Sequence, residues 1–296
     1  MFFALFYKKL LLLQNILIRI TVVVRYKFKA VSLLLLTFSV CMLCSCASSH
    51  KKLLKSDDNE AKYEAAVKAY NQGDYYKANQ LFDNLLLYFR GRDKAEDVSL
   101  YYAKSLMGGK DYFSAGYQFE NFVRWFPYSP KAEEALYYCA YCKFKESPEY
   151  YLDQTLTVES IKAFEDYIDK YPESPRVQQA NECLDELRMK LIKKDYTNAY
   201  NYYKVGQYQA AHVALKEFIS RYADQTQYRQ DAMYYIVLAD YHYAYGSVPE
   251  KQKERWTTMI LDYEKYQALF ENFTDKAKTD DLKKKYEYAK AQVGMN

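Results

Sequence analysis

Small and aromatic residues recur along the chain at helical spacing. Ala78, Phe82, Leu85 and Phe89 fall on one face of a helix, directly after the turn residues Gly73 and Asp74. The same order returns as Ala115, Phe119, Phe122 and Phe126, then as Ser160, Phe164, Tyr167 and Tyr171, and again as Ala211, Leu215, Phe218 and Tyr222. A degenerate fifth copy runs through Tyr263, Tyr266, Phe270 and Phe273. Polar and charged residues fill the positions between, as expected of helices that bury a single stripe.

Two of these stripes end in the same phrase, Phe126-Pro127-Tyr128-Ser129-Pro130 and Tyr171-Pro172-Glu173-Ser174-Pro175. The first proline cannot continue the preceding helix, the serine can cap the next one, and the second proline suits the first helical position. Departures from regularity also predict structure. Ser147 to Thr157 reads as a loop inserted between two helices of one repeat, and Arg176 to Val205, without Gly or Pro, reads as one unusually long helix. Gly246-Ser247-Val248-Pro249 breaks the last pair, and Asp275 to Val293 reads as a charged terminal helix able to cap a stack.

The spacings match the tetratricopeptide repeat, a helix-turn-helix unit with small residues where paired helices touch and an aromatic inserted between them. The expected fold is all-α, a tetratricopeptide-repeat right-handed superhelix of about five helix-turn-helix units over residues 60–274, with a capping helix at 275–296. Composition agrees, since 35 tyrosines stand against 8 glycines and 6 prolines, too little turn chemistry for a β-sandwich.

Charge separates the N-terminus from the rest. The formal charge is +4, yet six Lys/Arg precede Cys46 in a stretch without Asp or Glu, leaving 36 basic against 38 acidic residues beyond it. No electrostatic footprint for nucleic acid remains. Arg25 to Lys29 forms a positive segment and Ala30 to Leu43 an apolar run, too short for an ordinary membrane span and right for a signal peptide over residues 1–45. The earlier apolar run, Met1 to Val24, exceeds what such a leader requires, which points to an over-extended gene start with Val22, Val23 or Val24 as initiator.

Leu43-Cys44-Ser45-Cys46 resembles the bacterial lipoprotein box, which implies lipidation of Cys46. Cys41 and Cys44 would follow Val40 and Leu43, where a small residue is needed; the alternative to lipidation is an ordinary signal peptide or an N-terminal membrane anchor with incidental cysteines. Residues 46–59 read as a flexible tether, and the absence of Asp after Cys46 resembles the sorting signal for the outer membrane, facing the periplasm.

Little points to catalysis or a cofactor. His212 and His242 lie in separate predicted helices without a metal-binding spacing, and no Gly-rich phosphate loop or Gly-x-Ser-x-Gly elbow occurs. Cys139-x-x-Cys142 sits in a predicted helix interior, where small packing residues are the expectation. The chain is therefore expected to be no enzyme, with no catalytic residue, no metal and no cofactor.

Tyr150-Tyr151-Leu152-Asp153-Gln154-Thr155 leading to Ala163-Phe164-Glu165-Asp166-Tyr167-Ile168-Asp169-Lys170-Tyr171-Pro172-Glu173-Ser174, with the lipoprotein box, resembles the BamD family of outer-membrane assembly lipoproteins. The resemblance implies a non-catalytic scaffold that binds the periplasmic POTRA domains of a BamA-like barrel protein and receives unfolded outer-membrane β-barrel proteins. A tyrosine-lined groove suits a barrel strand, which alternates apolar and polar residues. Tyr63, Tyr70, Tyr101, Tyr102, Tyr137 and Tyr138 are the groove candidates, against inter-helix packing as the alternative for each. Ala223, where the repeat calls for proline, and an expanded Gly246 to Asn272 leave the C-terminal docking details open. The rival function is another periplasmic repeat lipoprotein, a cell-wall coordinator or a glycan-binding protein of the SusD type, although SusD-type chains are typically much longer.

Overall fold

The computed structural model describes residues 50–223, 226–270 and 276–294. The leader, Cys46 and Phe273 lie outside the described residues. Among the described residues there are eleven helices from Asn59 onward, a short helical segment at 50–54 before them, and no strand. The chain divides into two compact units, one ending at Asp111 and one starting at Tyr112.

The first unit holds α1 (Asn59–Asn71), α2 (Tyr75–Phe89) and α3 (Ala95–Gly108). Asp58 caps α1 by accepting from the Ala61 N–H, and Asp74 caps α2 by accepting from the Lys77 N–H. Between them Gly73 adopts φ 76°, so that its N–H reaches the Tyr70 carbonyl and the Asp74 N–H reaches Ala69, a Schellman turn. The core comprises Ala66 and Ala69 of α1, the α2 stripe and Val98 of α3. Residues 50–54, read from sequence as tether, are helical; Leu53 and Leu54 pack on this core and His50 hydrogen-bonds Gln80 at 2.8 Å.

The second unit runs through α4 (Tyr112–Trp125), α5 (Ala132–Glu146), α6 (Thr155–Lys170), α7 (Val177–Lys204), α8 (Tyr208–Arg221), α9 (Thr226–Tyr245), α10 (Pro249–Leu269) and α11 (Lys276–Val293). Each helix packs on the next, and α5 on α7, α7 on α9 and α9 on α11 as well. That is the contact pattern of stacked helix-turn-helix repeats. Within the two units the small positions Ala78, Ala115, Ser160 and Ala211 are all fully buried, and so are Phe82, Phe119, Phe164 and Leu215 one turn on. Each such apolar side chain contributes roughly 1.5–3 kcal/mol of transfer free energy.

The two proline phrases fold alike. In each, the serine N–H donates to the carbonyl of the helix-ending aromatic, Phe126 or Tyr171, and the serine hydroxyl accepts from the N–H of Lys131 or Arg176. The second prolines, expected at the first helical position, lie two residues before it. Pro130 and Pro175 instead occupy the second position of a type I turn closed by Ala132 N–H to Ser129 O and Val177 N–H to Ser174 O. Lys131 (φ −91°, ψ −5°) and Arg176 (φ −89°, ψ −3°) have the angles that turn needs at its third position, and proline suits the second equally well.

The long α7 serves two cores. Ala180, Leu184 and Leu187 close one with α5 and α6, while Ile192, Tyr196 and Ala199 join another with α8 and α9. At the far end, Pro249 starts α10 at its first position, and Leu282 and Ala289 of α11 are buried in a core with α9 and α10.

Candidate functional site

The six tyrosines singled out above sit at helix interfaces. Tyr63 meets Phe82 and Phe89 edge-on, Tyr70 meets Tyr75 and Tyr101, and Tyr101 stacks on Phe82 at 5.5 Å. Tyr102 is half-buried; burial and then the neighbouring Asp83 carboxylate push its hydroxyl up to about 12. Tyr138 rests on Phe119. Tyr137 is a correction to the groove reading: it is 6% exposed, enclosed by Phe164 and Tyr167, because its helical position faces α6 and α7. Alternation of tyrosine pairs signals an amphipathic face, and only packing tells which member of a pair turns inward.

The Asp-Gln-Thr phrase is a structural staple. Gln154 is buried at the end of the loop between α5 and α6 and donates to the carbonyls of Glu149 (2.8 Å) and Leu152 (3.1 Å). Its carbonyl accepts from the Thr157 hydroxyl, which in turn meets Ser147 Oγ. Asp153 accepts from the Thr155 N–H as α6 begins, and Lys190 of α7 donates to Ser147. Cys139 and Cys142, the pair with redox or metal spacing, are both buried in α5; burial pushes their thiols up to about 11 and about 12.

A broad concavity lies in the second unit along α8. Ala211, Leu215 and Phe218 turn this helix's apolar face inward, which leaves Gln209, Val213 and Glu217 outward by the same periodicity. A cavity of about 720 Å³ opens there, lined by Tyr202, Tyr208, Ala210, Val213, Ala214 and Tyr243. Beside it lies one of about 340 Å³, where Gln209, His212, Asp240, Lys251, Glu254 and Arg255 make the wall polar. Arg255 covers the Tyr243 ring at 3.9 Å. A third, of about 150 Å³, is walled by Ile219, Met233 and Ile236 together with Lys216, Asp262 and Lys265. Apolar and aromatic surface flanked by charged groups is suited to binding a peptide or a partner's loop.

At the floor of this trough His212 Nδ1 and Asp240 Oδ1 are hydrogen-bonded, and Asp262 lies alongside, 3.9 Å from the same nitrogen. Lys216 Nζ approaches Asp262 Oδ2 to 2.9 Å. Burial pushes the Asp240 carboxyl up to about 6; His212 works against that shift and the Asp262 charge adds to it. The sequence reading placed His212 in no constellation, since its partners come from two other helices. His242 stacks on Tyr208 at 4.9 Å and stays outside the cluster.

No curated protein sequence matches the chain. Among solved structures, a crystal structure of nearly identical TPR-like repeats from a Podosopora anserina kinesin light chain aligns with 72% of this chain and 96% of its own, at 12% identity and a TM-score of 0.31. The family YfiO, described as outer membrane lipoprotein, matches residues 55–255, from just before α1 into α10. Among the described residues no helix is long and apolar enough to cross a membrane. With its matched region covering most of the sequence and every repeat stripe but the last, this chain belongs to the YfiO family of outer membrane lipoproteins.

Proposed function

We propose that the chain is a lipid-anchored scaffold of the machinery that folds and inserts outer-membrane β-barrels. In this reading it is tethered through Cys46 to the periplasmic face of the outer membrane, docks on the POTRA domains of a BamA-like barrel protein, and receives unfolded barrel proteins. The observation that carries the proposal is the outer membrane lipoprotein family across residues 55–255. The trough along α8 supports it, because tyrosines and small apolar residues beside charged groups suit a segment that alternates apolar and polar side chains. The trough takes the place of Tyr137 as the contact surface, and the half-buried Tyr63, Tyr70, Tyr101, Tyr102 and Tyr138 act mainly by holding helices together. The chain acts by binding and does no chemistry.

Affinity capture of the chain from detergent-solubilised membranes tests this. Recovery of a BamA-like protein is expected; recovery of a TonB-dependent transporter instead would favour glycan uptake. Depletion is the sharper measurement. If outer-membrane barrels accumulated normally without the chain, the proposal would fail.

A further inference from the structure

His212 of α8, Asp240 of α9 and Asp262 of α10 bring three ligand atoms within 4.8 Å of one another. The two carboxylates are 4% and 6% exposed, a costly placement for paired negative charge. Lys216 and Lys265 both reach Asp262, whereas Asp240, which packs against the Asp262 carboxyl, bonds His212 through Oδ1. Its other oxygen, Oδ2, is buried and receives no hydrogen bond. An anionic oxygen held out of water beside a second carboxylate and an imidazole is a strong site for a cation.

We propose that His212, Asp240 and Asp262 bind a first-row transition-metal ion, Zn²⁺ foremost. The imidazole argues against Mg²⁺ and Ca²⁺, which take oxygen ligands, and one nitrogen with two carboxylates falls within the donor set of zinc. Three protein ligands leave a fourth position for water. The cavity of about 340 Å³ walled by His212 and Asp240 supplies the route in. Ligand atoms around tetrahedral zinc stand roughly 3.4 Å apart. Binding therefore draws the Asp262 carboxylate inward, and the Lys216 ammonium, on a flexible stem whose side chain is 43% exposed, swings into solvent. One ion then ties together α8, α9 and α10 beneath the trough.

The test is a calorimetric titration of the full, chelator-stripped chain with Zn²⁺ at pH 7. One ion per chain is expected, with His212→Gln and Asp240→Asn each weakening the affinity at least ten-fold while the far-UV circular dichroism is retained. Lys216→Gln, which removes the competing ammonium, should tighten binding several-fold; a purely structural ion pair gives no such gain. No binding, binding that His212→Gln leaves unchanged, or a Lys216→Gln variant that binds no more tightly overturns the proposal. Should Asp240→Asn unfold, the other two variants still decide it.

Discussion

Glu133 in α5 anchors the turn that restarts the chain after α6. Its Oε1 accepts from Tyr167 Oη and Ser174 Oγ, both at 2.7 Å, and Arg176 Nη1 lies 3.2 Å from both carboxylate oxygens. One carboxylate therefore holds groups 34 to 43 residues further along the chain. Replacing it by alanine leaves Tyr167 and Ser174 bonded to each other at 2.6 Å, and Arg176 keeps Glu134 at 3.8 Å. The loss is then one charge-assisted bond, about 1.5 kcal/mol, plus a partly exposed ion pair worth about 0.5 kcal/mol. A total of about 2 kcal/mol should lower the melting temperature by roughly 4–8 °C for a body of this size.

The pH dependence is the stricter test of the same network. Burial raises the Glu133 carboxyl, but the hydrogen bonds from Tyr167 and Ser174 and the Arg176 charge outweigh it, so the group sits below its ordinary 4.5. A carboxyl depressed on folding stabilises fully above its unfolded value and loses that contribution as the pH falls through the folded one. Glu133→Gln should therefore be less stable than the parent at pH 7, with the difference closing below about pH 4.5. Thermal denaturation by circular dichroism across pH 3–7 measures this. A stability difference independent of pH would refute the electrostatic account of the turn.

Further consequences concern single positions. Lys110 ends α3 at φ 65° in the same Schellman geometry as Gly73, so Lys110→Gly should stabilise by about 1 kcal/mol in denaturant titration; a loss would contradict the assignment of strain there. A Cβ on Gly116 would stand 3.3 Å from that of Cys142 where α4 crosses α5; Gly116→Val should cost about 1–3 kcal/mol, and unchanged stability would mean the helices can part. Gln154→Ala should cost about 1–3 kcal/mol and expose the 147–154 loop to limited proteolysis, which an unaltered digestion pattern would disprove. Native-state alkylation should reach the partly exposed Cys183 well before Cys139 and Cys142, and rapid labelling of the latter pair at neutral pH would argue against their burial.

The repeat stripes and the long α7 were legible because each depends on neighbours a few residues away, whereas Ser129 and Ser174, expected to cap the following helices, bond the N–H of Lys131 and Arg176 just before them. Ala78, Phe82 and Leu85 share a face by helical geometry alone, and an unbroken run without Gly or Pro has no local reason to stop. The second prolines were misplaced by two positions because proline fits a helix start and a type I turn equally well, and the hydrogen bond that chooses between them is closed by Ala132 and Val177. Which tyrosine of a pair is buried was illegible, since Tyr137 and Tyr138 differ only in the helices set against them. The convergence of His212, Asp240 and Asp262 was equally hidden. Local interactions wrote the helices and their punctuation into the chain, whereas the trough and its buried acids arise from the side-by-side packing of three successive helices, and only the tertiary structure sets that packing.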